Sequence, residues 1–457
     1  MTEVKRFLLR FFKVLSKSVR SLAVEYRYLF NVIQTQGKGY SIILFLVTAL
    51  WACQVIAPIQ GRSQPMPDSA SLLDPTIRNL RTGDLVVRVV DANHQGIEGA
   101  VVKLEQTQHY FQFGTALSTE MFKNTTDPGD RAQYLKLAKQ LFNASVHENA
   151  LKWYATEPVR GQVSYADADR ILNWSKSNGL TMRGHTLFWA PEQWNQDWVK
   201  ALSPQELRLA VQNRAIEVCT RYRGRILEYD VLNEMLHGDF FQKTLGEDIV
   251  NDMFQWCKQA DPTARLYVND YDILNGKQLD NYVNQIRSLL HQGVPIGGIG
   301  IQSHIRQKIT AAQAKISLDT LAQFGLPIKI TEFSAVADTE EEKAQTLRDI
   351  YQVAFAHPAV EGILMWGFWE GAIWEPKSAL FRKDWQALPA AQAYRDLVYD
   401  KWWTKIDTLT NKAGEVPTRA FFGDYSLTVH VGNRKSEQTF NFSPNEKTPR
   451  VIEIIAT

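Results

Sequence analysis

The chain has 457 residues, enough for one large domain with smaller appendages. Its net charge is +2 and the 22% of charged residues are mixed in sign, which argues against a nucleic-acid partner. The aromatic load, 13 Trp, 16 Tyr and 22 Phe, serves core packing as readily as ring stacking.

Residues 1–38 carry Lys5, Arg6, Arg10, Lys13, Lys17, Arg20, Arg27 and Lys38 against Glu3 and Glu25. From 39 to 59 the chain is almost wholly apolar, and about 20 such residues can cross a bilayer as a helix. The basic flank then stays in the cytoplasm and everything after Ile59 is exported. An uncleaved transmembrane anchor and a removed signal sequence both fit, because Ile42 to Ala52 has the length of a signal's apolar region. Leu50-Trp51-Ala52-Cys53 also faintly resembles a lipoprotein cleavage site. Each alternative places the body of the protein outside the cytoplasm, either held to a membrane by its N-terminal segment or secreted. Residues 60–80, with Pro65 and Pro67 among Ser and Gln, read as a linker.

Residues 81–112 are strand-like. Leu85 to Val90, a polar turn from Asp91 to Gly96, and Ala100 to Leu104 predict a hairpin. Residues 401–457 are similar, with Tyr425 to Val431 and Val451 to Ile455 as further strands. A two-stranded hairpin is marginal alone in water, so the two ends are expected to meet in a small accessory β-sandwich, a structural brace with carbohydrate binding as the alternative.

Between them, residues 113–400 alternate short apolar runs with helical patterns, the rhythm of a (β/α)8 TIM barrel and hence of the α/β class. Helix starts are marked at Asp127-Pro128, at Ser203-Pro204 with Glu206 completing a capping box, and at Asp338-Thr339 before Glu340, Glu341 and Glu342. The three cysteines are odd in number and lack a CxxC spacing, which argues against a disulfide scaffold or a zinc site. Cys219 and Cys257, in helical patterns, read as buried free thiols, with a bridge between adjacent helices as the alternative.

Two of the apolar runs end in a carboxylate: Asp230-Val231-Leu232-Asn233-Glu234 and Ile328-Lys329-Ile330-Thr331-Glu332. Two glutamates delivered by different barrel strands suit a reaction that needs an acid and a nucleophile facing one bond, as glycosidic cleavage does.

Seven segments in order carry a family resemblance. They are Glu148 to Trp153, Arg183 to Trp189, Asp230 to Glu234, Leu266 to Tyr271, Gly298 to His304, Ile330 to Phe333 and Met365 to Glu370. Together they resemble strands 2 to 8 of glycoside hydrolase family 10, the retaining endo-β-1,4-xylanases, in its plant-like branch. The resemblance implies that Glu332 is the nucleophile and Glu234 the acid/base, with Asn233 donating to a sugar hydroxyl and His304 holding Glu332. It implies sugar contacts from Glu148, Asn149, Lys152, His185 and Gln302, and aromatic walls or platforms from Trp189, Tyr271, Trp366 and Trp374. The implied partner is a polysaccharide, xylan or a related β-1,4-glycan, and no cofactor or metal is implied.

Ala190 stands where many relatives carry His, Ser334 where the family usually has Asp, and the loop from Trp369 to Trp374 differs from that of many relatives. Glu234 and His237 also have the spacing of a metal pair, but only one copy exists, whereas di-metal bundles use two. Two other readings keep part of this picture: a hydrolase acting on another β-1,4-glucan or a mixed-linkage chain, and a non-catalytic polysaccharide-binding surface protein.

Overall fold

The computed structural model describes residues 74–446 and 448–456. The basic segment 1–38, the anchor or signal 39–59 and the linker as far as residue 73 lie outside the described residues. The last part of the expected linker is helical instead. Pro75–Arg81 forms a short helix whose N-cap, Asp74, accepts the Thr76 N–H at 2.7 Å, with Pro75 pre-set for the first turn. Among the described residues, no helix is long and apolar enough to cross a membrane.

The chain next forms β1 (Thr82–Val90) and β2 (Val101–His109). It then builds the barrel from β3 (Gln112–Leu117), β4 (Ala144–His147), β5 (Thr181–Gly184), β7 (Glu228–Asn233), β8 (Arg265–Asp270), β9 (Gly298–Ile301), β11 (Ile328–Ala335) and β12 (Val360–Met365). Two short strands extend the mouth, β6 (Phe188–Trp189) on β7 and β10 (His304–Ile305) on β11. Neighbours are parallel throughout, and β12 pairs back onto β3, Met365 opposite Thr115, which closes the ring.

The intervening helices are α1 (Pro128–Leu141), α2 (Ala166–Ser177), α3 (Pro204–Arg221), α4 (Asp248–Ala260), α5 (Leu279–His291), α6 (Ala311–Ala322), α7 (Glu340–Phe355) and α8 (Pro389–Arg395). Their starts follow local chemistry. Ser203 and Glu206 form a reciprocal capping box on α3, and Thr339 and Glu342 form another on α7. Asp127 caps α1 by accepting the Asp130 N–H at 2.9 Å. The expected free thiols are in fact joined: Cys219 of α3 and Cys257 of α4 form a disulfide, their Cα atoms 5.4 Å apart. The two helices are neighbours because they flank β7, a proximity that the spacing of the cysteines does not reveal.

The ends of the chain do meet in a sandwich, formed with β13 (Lys405–Leu409), β14 (Glu415–Phe421), β15 (Gly423–Val431), β16 (Arg434–Phe442) and β17 (Arg450–Ile455). The expected β1–β2 hairpin is not formed. β1 lies between β14 and β17 in one sheet, while β2 lies between β13 and β15 in the other. Alternation explains this: Leu85, Val87 and Val89 face Val102 and Leu104 across a shared core rather than along an edge.

The sandwich sits at the N-terminal rim of the barrel strands. Arg81 donates to the carbonyls of Phe355, His357 and Val360, and Asn143, just before β4, donates to those of His109 and Phe111. Trp402, fully buried, lies between Phe113 and Phe355 at 6.0 and 4.3 Å. The opposite, C-terminal rim is left open, where barrel sites form.

Candidate active site

The barrel interior is not wholly apolar. Lys329 is paired with Glu228, and Arg183 lies 3.7 Å from Glu228 and forks onto Asp230. Asp230 in turn accepts from His185 Nδ1 at 2.9 Å, and that nitrogen stands 3.9 Å from Glu332. Buried charges of this kind persist only when paired. This column of charges carries fixed groups from the middle of the barrel to its mouth.

At the mouth β7 ends in Asn233, and Glu234 takes the left-handed conformation, φ 63°. Asp272 and Ser303, just beyond β8 and β9, do the same at 61° and 64°. Non-glycine residues pay roughly 1 kcal/mol or more for this backbone, and such residues cluster where function fixes a side chain. Glu234 receives three bonds, from Trp189 Nε1 at 2.8 Å, Gln302 Nε2 at 2.9 Å and Asn233 Nδ2 at 3.1 Å. Glu332, on β11, accepts from Asn269 Nδ2 at 2.8 Å and meets His304 Nε2 at 3.2 Å.

A chain of amides joins the two carboxyls. Asn233 Oδ1 accepts from Asn269 at 3.0 Å and from Gln302 at 3.4 Å, so the partner of each glutamate also grips Asn233. Thr331 fixes Asn269 in turn through its hydroxyl, at 2.7 Å. Gly300 leaves the room: a Cβ there would stand 2.5 Å from Asn269 Oδ1.

The environments push the two acids apart. Burial raises Glu234 above the ordinary carboxylate value, and the charge of Glu332 adds to this against the bonds from Gln302 and Trp189. Burial also opposes ionisation of Glu332, but His185 and His304 outweigh it and hold the group below its ordinary value. The two acids are thus shifted in opposite directions, the separation that a paired acid and nucleophile require. His304 Nδ1 meets Ser334 Oγ at 2.9 Å, so the hydroxyl occupies the place behind the imidazole where an Asp was expected from the family pattern.

Every residue singled out from the sequence lines one cleft of about 910 Å³: Glu148, Asn149, Lys152, His185, Trp189, Asn233, Glu234, Tyr271, Gln302, His304, Glu332, Trp366 and Trp374. Gln302, expected as a sugar contact, accepts the Glu332 N–H through its backbone carbonyl and sends its side chain to Glu234. Lys152 donates to Asn149 Oδ1 at 3.0 Å and lies 4.4 Å over the Trp189 ring. Burial lowers the Lys152 pKa, and the surrounding Glu332, Glu148 and Glu234 oppose that. Trp366 is buried edge-on to His185 at 4.9 Å, whereas Trp374 is 47% exposed.

Trp194 and Asn269 were given no role from the sequence. Trp194, 46% exposed, stacks on Trp189 at 4.7 Å and extends its ring surface. His237, which has only the spacing of a metal pair with Glu234, turns to Asp270 at 2.7 Å and stacks on Tyr271 at 3.5 Å. Asn269 belongs to the segment Leu266 to Tyr271. Its signal was available: Asn269-Asp270 is a polar pair closing the apolar run Leu266-Tyr267-Val268. Among the described residues, no group of three or more His, Cys, Asp or Glu is arranged to hold a metal.

Residues 103–397 match the family model described as Glycosyl hydrolase family 10. The chain is 37% identical over 374 residues to the anti-sigma-I factor RsgI6 of Acetivibrio thermocellus, covering 81% of this chain and 48% of that protein. It is 36% identical over 380 residues to endo-1,4-beta-xylanase 1 of Arabidopsis thaliana, covering 82% and 39%. The chain thus spans about half or less of the length of these relatives. The crystal structure of xylanase 10B from Thermotoga petrophila RKU-1 in complex with xylobiose superposes with a TM-score of 0.59 at 26% identity, over 64% of this chain and 95% of that one.

Proposed function

The chain belongs to glycosyl hydrolase family 10, and from that premise we propose that it is a retaining endo-1,4-β-xylanase. The observation that carries the reading is the pair of carboxyls in one cleft, shifted in opposite directions and linked through Asn233. In the first step a Glu332 oxygen attacks the anomeric carbon while Glu234 passes its proton to the leaving sugar oxygen, giving a covalent glycosyl-enzyme. In the second, Glu234 takes a proton from water, whose oxygen displaces Glu332 and releases the sugar. Asn233 Nδ2 and Lys152 are placed to hold sugar hydroxyls, and Trp366 and Trp374 to wall the ring at the cleavage point.

The test is the release of short xylo-oligosaccharides from xylan by the purified protein. Turnover that survives Glu332→Ala would overturn the assignment. Parallel rates on cellulose oligosaccharides separate xylan from another β-1,4-glucan as the natural substrate. One curated relative is named an anti-sigma-I factor and not a hydrolase, and a second reading follows the same cleft without the chemistry, a protein that binds polysaccharide without cleaving it. Xylan binding with no products, unchanged by Glu332→Ala, would establish that reading instead. We further propose an extracytoplasmic location, either membrane-held or secreted. The Cys219–Cys257 bridge supports it, because such bonds persist mainly in oxidising compartments.

A further inference from the structure

We infer that one end of the cleft recognises the carboxylate of an acidic side group, so that the preferred polymer is a β-1,4-xylan bearing uronic acids. This deepens the proposed hydrolase reading and rests on it. The cleft crosses the barrel mouth, since β4 and β9 stand opposite each other in the closed ring. At the β4 side its one lysine, Lys152, is buried and bonded to Asn149. At the other side the loops after β8 and β9 bring Lys277, Arg306 and Lys308 to the cleft wall, all three exposed.

These two loops abut. A Cβ on Gly276 would stand 2.8 Å from Gln313 Nε2, at the start of the helix that follows Lys308. Arg306 lies 5.1 Å over the Trp374 ring and 3.5 Å from Glu375. Among the described residues, the Lys277 and Lys308 ammonium groups have neither an ion pair nor a hydrogen bond. The hydroxyls of a neutral xylose chain offer these cations no counter-charge. A carboxylate projecting from the chain beside Trp374 does, and an exposed ammonium pairs with it without first breaking a protein contact.

The test compares neutral and uronate-bearing xylo-oligosaccharides on the full protein and on the Lys277→Gln/Lys308→Gln double variant. Turnover is measured on both proteins. Binding is measured by calorimetry in a Glu332→Gln background, which keeps the substrate whole. The ratio of acidic to neutral substrate, in binding and in kcat/KM, should fall about fivefold in the double variant while the neutral substrate is unaffected. High ionic strength should erase the difference between the two proteins. An unchanged ratio, or an equal loss on both substrates, overturns the inference. If neither substrate is cleaved by either protein, the hydrolase reading fails while the binding ratio still decides this one.

Discussion

Glu332 is held below the ordinary carboxylate value because two histidines outweigh its burial, and Glu234 is raised above it because nothing outweighs its own. Activity needs the first ionised and the second protonated. kcat/KM should therefore rise as pH passes the lowered value of Glu332 and fall as pH passes the raised value of Glu234, a bell that brackets the usual carboxylate range. Replacing Ser334 by Ala removes the partner of His304 Nδ1 and loosens its hold on Glu332. The Glu332 value then moves upward, so the acid limb of the pH–rate profile should shift to higher pH while the alkaline limb stays; an unmoved acid limb would show that Ser334 is not used. Glu234→Gln should lower kcat by roughly 10²–10⁴ on substrates with a poor leaving group, measured at the pH optimum. The two glutamates were legible in the sequence because each closes an apolar run. The amide chain was not, since Asn269 and Gln302 reach Asn233 only when three strands come together in the ring.

Strands and helices show the same division between local and long-range information. Ser203 and Thr339 marked helix starts because capping needs only residues three apart. The partners of β1 and β2 escaped because their pattern of alternation is satisfied equally by a hairpin and by two facing sheets; the strands that fill the gaps lie more than 300 residues away. The Cys219–Cys257 bond escaped for a similar reason, being a contact between helices flanking one strand. It closes a sequence separation of 38 residues, which in the chain-entropy model corresponds to about 4 kcal/mol. Thermal unfolding with and without reductant should show a lower midpoint for the reduced protein, and an unchanged midpoint would assign the bond no stabilising role. In the barrel interior, Lys329→Met leaves Glu228 with only Arg183 nearby and should cost about 3 kcal/mol in denaturant unfolding.

At the scale of the whole molecule, the sandwich and the active site occupy opposite rims of one barrel. Arg81, Asn143 and Trp402 brace the closed N-terminal rim, and the charge column from Lys329 to His185 connects the barrel's middle to the open one. The barrel and the meeting of the chain ends were both legible in the sequence, through the alternation of apolar runs and the strand patterns on either side. Which rim the sandwich covers was not, because that depends on contacts such as Arg81 with the carbonyls of Phe355 and Val360. The central claim is that Glu332 and Glu234 act on one glycosidic bond from opposite protonation states. The most direct measurement is proton NMR of a xylo-oligosaccharide in the first minutes after the protein is added. The account expects the newly formed reducing ends to appear first as the β-anomer and to mutarotate afterwards; an α-anomer appearing first would contradict it.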